Sequence, residues 1–106
     1  MIHFNLSDLE PRQIIPGYHG RIVHSDSMTF VYWHIEKDAP LPAHSHANEQ
    51  AAHIIEGLFE LTIEGETRLL KPGEIAIIPS NSRHWGKAIT ECKIMDAFCP
   101  VREDYR

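Results

Sequence analysis

Hydrophobic and polar residues alternate along this chain in short runs, and Gly or Pro separates most of the runs. Residues 28–36 are rich in aromatic and β-branched side chains, which predicts a strand. Phe59, Leu61 and Ile63 alternate with polar residues, as in a strand with one buried face. Residues 75–78 show no polar alternation and predict a strand that is buried on both faces.

The remaining segments add further short strands and no helix. Residues 1–20 contain several Pro and Gly residues and predict a loose lead-in with at most one short edge strand. Residues 37–42 predict a loop that its prolines hold extended. Further strands are expected over residues 51–56, 67–71, 86–89 and 93–98. Many short strands separated by turns indicate one all-β domain over residues 1–106, built as a sandwich or barrel.

Composition and charge narrow the possible partners. The 106 residues are 42% hydrophobic and 24% charged, and the net charge of −5 argues against nucleic acid or an anionic membrane as partner. This net charge does not exclude a small anionic substrate. No apolar run is long enough to span a bilayer, and no signal peptide precedes the domain, so a cytoplasmic protein is expected. The two cysteines, Cys92 and Cys99, are expected to be reduced thiols.

Three histidines and one glutamine form the strongest candidate site. His44 and His46 are two residues apart, so in an extended strand both imidazoles project from one face. Gln50 follows in phase with them, and this parity favours Gln50 over Glu49 as an oxygen ligand. His84 follows a later apolar run that ends at a proline. A β fold that brings these four residues together predicts a site for one divalent metal ion, which could be Ni, Fe, Mn, Co or Zn.

A carboxylic acid is expected inside the fold near the C-terminus. Asp96 is in phase with Ile94 and Phe98, which places it on the inward face of the last strand. A buried acid is either paired, protonated or functional. Arg102 follows six residues later and could be its partner.

The histidine segments resemble the two sequence motifs of the cupin superfamily. In the first motif His44, His46, Gln50 and Gly57 match the family spacing, with Gln50 in place of the usual Glu and Asp38 in place of the leading Gly. The resemblance covers residues 28–98, which would form the core of the domain. It implies a jelly-roll β-barrel with a metal ion inside.

The second motif is matched at Gly73, Pro79 and His84, with Asn81 in place of a Gly and Ala88 in place of the final Asn. A Gln at the position of the family Glu would leave the metal its full positive charge. Such a site would be a stronger Lewis acid and would hold an anionic oxygen more tightly.

The C-terminal segment, residues 95–105, resembles that of the KdgF-type cupins, which linearise unsaturated uronates in pectin degradation. The resemblance implies that Asp96 is the catalytic acid and base and that Arg102 binds the carboxylate of the substrate. The structural alternative is a salt bridge between Asp96 and Arg102 that fixes the C-terminal segment.

Three functions follow from these patterns. The first is a metal-dependent enzyme that opens the ring of a 4,5-unsaturated uronate from pectin or alginate, a small anionic sugar acid. The second is a cupin dioxygenase that uses Fe, Mn or Ni, and the third is a non-catalytic module that binds a small ligand. A homodimer is also expected, because small cupins usually pair their sheets and residues 75–78 offer apolar side chains to both faces.

Overall fold

The computed structural model describes residues 1–106 and contains ten β-strands and two short 3-10 turns. The strands are β1 Arg12–Ile15, β2 Tyr18–His24, β3 Thr29–Ile35, β4 Pro40–His44, β5 Glu49–Glu56, β6 Phe59–Ile63, β7 Glu66–Leu70, β8 Ile75–Ile78, β9 His84–Ala88 and β10 Cys92–Cys99. The 3-10 turns are Leu6–Asp8 and Glu103–Tyr105. No helix has the length and apolar content that crossing a membrane requires.

The strands form two sheets in which every pairing is antiparallel. One sheet has six strands in the order β1-β2-β3-β10-β5-β8, and the other has four in the order β4-β9-β6-β7. Side chains from the two sheets pack into one core that includes Val31, Ile54, Phe59, Leu61 and Phe98. This arrangement confirms the predicted all-β jelly roll.

Strand β10 lies in the middle of the larger sheet and illustrates how the sequence pattern sets the interior. Cys92, Ile94, Asp96 and Phe98 are buried, and the residues between them are more exposed. β10 pairs with β3 on one side and with β5 on the other. Asp96 therefore faces the inside of the barrel from a strand that has hydrogen-bonded neighbours on both edges.

The N-terminal segment and the segment before His44 are more ordered than the sequence predicted. β1 and β2 form a hairpin that adds two strands to the larger sheet, where a loose lead-in was expected. Gly20 is a packing residue in β2, because a Cβ there would lie 2.8 Å from Val31 and from the ring of Trp33. The predicted loop over residues 37–42 contains the start of β4, an edge strand, where proline is tolerated.

The prediction that residues 75–78 are buried on both faces was wrong. Ile78 is buried, but Ile75 and Ile77 are 59% and 55% exposed. The reason is the position of β8 at the edge of the larger sheet, where nothing in the chain covers the outer face.

Two residues that replace family glycines in the cupin-like motifs adopt left-handed backbone conformations. Asp38 has a φ of 68° and Asn81 has a φ of 63°. Asp and Asn tolerate this region better than other side chains because their short polar groups can bond locally. The turns of both motifs therefore keep a glycine-like backbone without glycine.

Candidate active site

Three histidines meet at one end of the barrel. His44 is the last residue of β4 and lies directly opposite His84, the first residue of β9, while His46 follows β4 by two residues. One ring nitrogen from each of the three lies within 4.8 Å of the others. The two predicted motifs thus converge because β4 and β9 are antiparallel neighbours.

Hydrogen bonds to the backbone fix the tautomer of each ring. The Nδ1–H groups donate to nearby carbonyl oxygens at 2.8–2.9 Å: His44 to Pro42, His46 to Asn48 and His84 to Ser82. Each Nε2 then carries an unprotonated lone pair, which is the form that binds metals. Nε2 of His84 is buried and has no hydrogen-bond partner, so an electron-pair acceptor would satisfy it.

Gln50 contributes an oxygen to the same cluster. Its Oε1 lies 3.1 Å from Nε2 of His46. Since Nδ1 of His46 carries the ring proton, both atoms are lone-pair donors and cannot bond to each other. The distance of 3.1 Å instead suits two ligand atoms of the same metal ion, because atoms that lie about 2.1 Å from one ion at right angles are about 3 Å apart. The side chain of Gln50 is buried, whereas Glu49 is exposed.

Burial favours the neutral form of His46 and His84. Burial, together with the neighbouring His44 and His46, lowers the pKa of His84 to about 4, against the raising effect of its hydrogen bond to Ser82. Burial also lowers the pKa of His46. At neutral pH the rings of His46 and His84 are therefore available as ligands without losing a proton. The donor set of three imidazoles and one carboxamide fits one divalent first-row metal ion.

Asp96 lies inside the barrel and lines the same cavity as His44, Gln50 and His84. The indole N–H of Trp33 donates a 2.8 Å hydrogen bond to Oδ2 of Asp96, and Oδ1 is buried without a hydrogen-bond partner. Burial raises the pKa of Asp96 to about 6, against the opposing effects of Gln50, Trp33 and Arg102. The carboxyl group thus changes protonation state close to neutral pH.

Arg102 is buried beside the cavity but does not pair with Asp96. Its Nε and Nη2 donate to the two carboxylate oxygens of Asp104, at 3.0 and 2.7 Å. The salt bridge proposed between Asp96 and Arg102 is therefore absent, because a second acid two residues from Arg102 takes its place. These bonds lower the pKa of Asp104.

The cavity has a volume of about 320 Å³ and extends from the histidines into the barrel. Most of its lining side chains are apolar, among them Ile54, Leu61 and Ile94. The polar lining residues include His44, Gln50, His84, Asp96, Arg102 and Asp104. A small ligand with both polar and apolar surfaces fits such a space.

Residues 31–98 match the family described as the cupin domain. The chain belongs to the cupin family. It is 35% identical over 86 residues to the pectin degradation protein KdgF of Dickeya dadantii, which covers 79% of this chain and 78% of that protein.

Solved cupin structures agree closely with this fold. The structure of KdgF from Halomonas sp. superposes with a TM-score of 0.93 at 26% identity, covering 100% of this chain and 99% of that one. An RmlC-like cupin from Shewanella frigidimarina also gives a TM-score of 0.93, at 24% identity, with 100% of this chain and 97% of that chain covered. The second match supports the fold alone.

The cupin contains three residues near the site whose roles the sequence did not indicate. Nothing in the sequence indicated a site role for Trp33, because its hydrogen bond to Asp96 depends on the pairing of β3 with β10. Asn48 donates from Nδ2 to the carbonyl oxygens of Pro100 and Val101, which ties the histidine loop to the C-terminal segment. Asp104 lies two residues from Arg102 in the sequence, and this short separation was the one feature that could have indicated their pairing.

Proposed function

We propose that this cupin is a metal-dependent enzyme that opens the ring of 4,5-unsaturated uronates derived from pectin or alginate. The observation that carries the proposal is the free Oδ1 of Asp96, which is buried in the cavity that three of the four donors, His44, Gln50 and His84, also line. Its relatives named KdgF include a pectin degradation protein. Because of that similarity, we choose a small sugar acid as the proposed substrate.

The four donors would hold one divalent ion: Ni, Fe, Mn, Co or Zn. When bound, the metal would supply a Lewis acid that polarises hydroxyl and ring oxygens. Gln50 is neutral, so the chain would not offset the charge of the ion with an acidic ligand. Arg102 would bind the carboxylate of the uronate and orient its ring in the cavity.

Asp96 would carry the proton. As a carboxylate it takes the proton from the hydroxyl on C1, and a C1 carbonyl forms while the bond from C1 to the ring oxygen breaks. The ring oxygen becomes the C5 carbonyl as C4 of the C4–C5 double bond accepts the proton from Asp96. The reaction is an isomerisation: no electrons leave the substrate and no second reactant is needed. A pKa of about 6 allows one carboxyl group to act as base and then as acid.

The experiment that tests this function is incubation with a 4,5-unsaturated galacturonate while the enol ether absorbance is followed. Ring opening removes the absorbance and gives a product of unchanged mass. Consumption of O₂ with a heavier product would instead assign the cupin to the dioxygenases. Binding without either change would assign it to the non-catalytic modules.

We also propose a homodimer that buries the outer face of β5 and β8. Ile55, Ile75 and Ile77 lie on this face and are 45–59% exposed. The face is next to the unpaired edge of β8. A second copy could cover the same patch on both partners through a two-fold axis. The cytoplasmic location stays a prediction.

A further inference from the structure

Arg102 is held in a corner formed by two aromatic rings. Its guanidinium carbon lies 4.8 Å from the centre of the Phe98 ring and 4.1 Å from the centre of the Tyr105 ring. The two rings are nearly perpendicular, with an interplanar angle of 89°. The backbone N–H of Arg102 donates to Oγ1 of Thr29 at 2.9 Å, which anchors the start of the side chain. The guanidinium is thus confined in position.

Ring contacts do not fix the direction in which the N–H groups of the guanidinium point, because the attraction to a ring face is not a directional bond. The carboxylate of Asp104 fixes that direction. It accepts from Nε and Nη2 of Arg102 with two separate oxygens, which is the side-on fork geometry. The side chain of Asp104 is 63% exposed whereas that of Arg102 is 9% exposed. The buried guanidinium is therefore held by an acid that lies mainly at the surface.

Nη1 of Arg102 makes no hydrogen bond in the structure. A guanidinium has five N–H donors, and Asp104 uses one on Nε and one on Nη2. Both hydrogens of Nη1 and the second hydrogen of Nη2 remain. One hydrogen of Nη1 and the second hydrogen of Nη2 form the end-on edge, which can bind a second carboxylate with two parallel hydrogen bonds.

We propose that Asp104 is a positioning residue that aims the end-on edge of Arg102 at the anionic group of the ligand. The inference rests on the proposed function to the extent that Arg102 is taken to bind the carboxylate of a uronate. Asp104 also lines the cavity, but in this role it acts through its hydrogen bonds to Arg102 and not by contact with the ligand. The site therefore prefers a planar carboxylate presented to Nη1 and Nη2, with Asp104 kept in place during binding.

The opposite role for Asp104 makes a different prediction. If its carboxylate only occupied Arg102 in the empty site, a ligand would displace it, and removing Asp104 would strengthen anion binding. The proposed positioning role requires that removing Asp104 weakens binding. The sign of the change in affinity therefore decides between the two roles.

Acetate is a suitable probe because it presents the carboxylate alone. We would titrate it into the protein in the presence of zinc and follow the nitrogen-15 NMR signals of the Arg102 guanidinium. In the wild type we expect the Nη signals to shift while the Nε signal, bonded to Asp104, stays in place. Asp104→Ala should weaken acetate binding about tenfold, and Asp104→Asn should weaken it less because its amide oxygen still accepts a hydrogen bond.

Glu103→Gln is the matched control. Glu103 lies on the same 3-10 turn and binds Arg106 at 2.7 Å, so this variant removes one negative charge without touching Arg102. We expect its acetate affinity to equal that of the wild type. Unchanged or tighter acetate binding in Asp104→Ala, or a shift of the wild-type Nε signal that shows displacement, would overturn the proposal.

Turnover of a 4,5-unsaturated uronate separates this inference from the proposed function. A positioning role raises KM in Asp104→Ala and changes kcat little, whereas general damage to the fold lowers kcat as well. If the wild type does not consume the uronate, the proposed function fails. The acetate titration still decides the role of Asp104 in that case, since it needs no catalysis.

Discussion

The indole of Trp33 and the carboxyl group of Asp96 are joined by a 2.8 Å hydrogen bond inside the barrel. They belong to the adjacent strands β3 and β10, where Trp33 lies opposite Ile94. The bond occupies Oδ2 of Asp96 and leaves Oδ1 without a partner. An acid held through one oxygen can move a proton with the other, so Trp33 sets the direction in which Asp96 acts.

We expect Trp33→Phe to impair catalysis beyond its effect on stability. The variant removes the indole donor, so the pKa of Asp96 should rise and the acidic limb of the pH–rate profile should move to higher pH. Turnover should fall by about 10-fold or more because the acid is less well oriented. Tyr18→Phe is the control: Tyr18 packs edge-on against Trp33, but its hydroxyl bonds to the carbonyl of Ala39. An unmoved pH profile in Trp33→Phe would contradict the role of the indole.

The metal ligands are tested by metal content. His44→Ala and His84→Ala should each abolish stoichiometric metal in protein purified without a tag, because each removes one of the converging nitrogens. His53→Ala is the control, since His53 lies on β5 at an outward-facing position between the buried Ala52 and Ile54. Elemental analysis gives the occupancy. Full occupancy in both His44→Ala and His84→Ala would rule out the assigned site.

The contribution of His84 to the stability of the metal-free protein should become unfavourable as the pH falls from about 6.5 to about 4. The pKa of His84 is about 4 in the folded chain and 6.5 in the absence of perturbation, so in this range the unfolded state binds a proton that the folded state does not. One such group lowers the free energy of unfolding by about 1.4 kcal/mol per pH unit, on the order of 3 kcal/mol in total.

Asp96 changes the free energy of unfolding in the opposite direction, because its raised pKa favours the folded state as the pH falls. The comparison must therefore isolate the contribution of His84. Urea unfolding of EDTA-treated wild type and His84→Asn at pH 7, 6 and 5 gives that comparison. The wild type should lose stability relative to the variant as the pH decreases. If the free energies of unfolding of the wild type and of His84→Asn changed in parallel with pH, protonation of the buried His84 would not destabilise the fold and the prediction would be wrong.

The sequence was sufficient for the parts of the fold and site that depend on strand periodicity. The alternation around Asp96 and Gln50 placed both inside the barrel, and the spacing of His44 and His46 placed them near each other. For Asp96 in β10 and Gln50 in β5 this follows from the direction of alternate side chains along a strand and needs no knowledge of which strands pair. The predicted strand did not continue through both histidines, because β4 ends at His44 and His46 lies between β4 and β5.

Features that depend on tertiary packing could not be predicted in this way. Gly20 looked like a breaker, but it is a strand residue that makes room for Trp33. The prolines of β4 suggested a loop because the pattern does not reveal that β4 is an edge strand. The partner of Arg102 is Asp104 and not Asp96, a choice set by the turn at the C-terminus.

The homodimer can be tested by light scattering at micromolar concentration. We expect a mass of twice 12.2 kDa for the wild type. Ile77→Asp should give the monomer, because a charge within the apolar face opposes its burial. Leu69→Asp is the control, since Leu69 is 49% exposed on β7 of the other sheet. A wild-type monomer, or dissociation caused equally by Leu69→Asp, would contradict the proposed interface.

The most direct test of the proposed function is the ring-opening rate of Asp96→Asn compared with wild type on a 4,5-unsaturated galacturonate. Asn keeps the shape of Asp and can accept the bond from Trp33, but it cannot carry a proton. We expect the rate to fall by about 10²–10⁴-fold, while metal content and melting temperature are retained. Metal-stripped wild type should also be inactive and should recover when the metal is restored. A wild-type rate in Asp96→Asn would contradict the proposed mechanism.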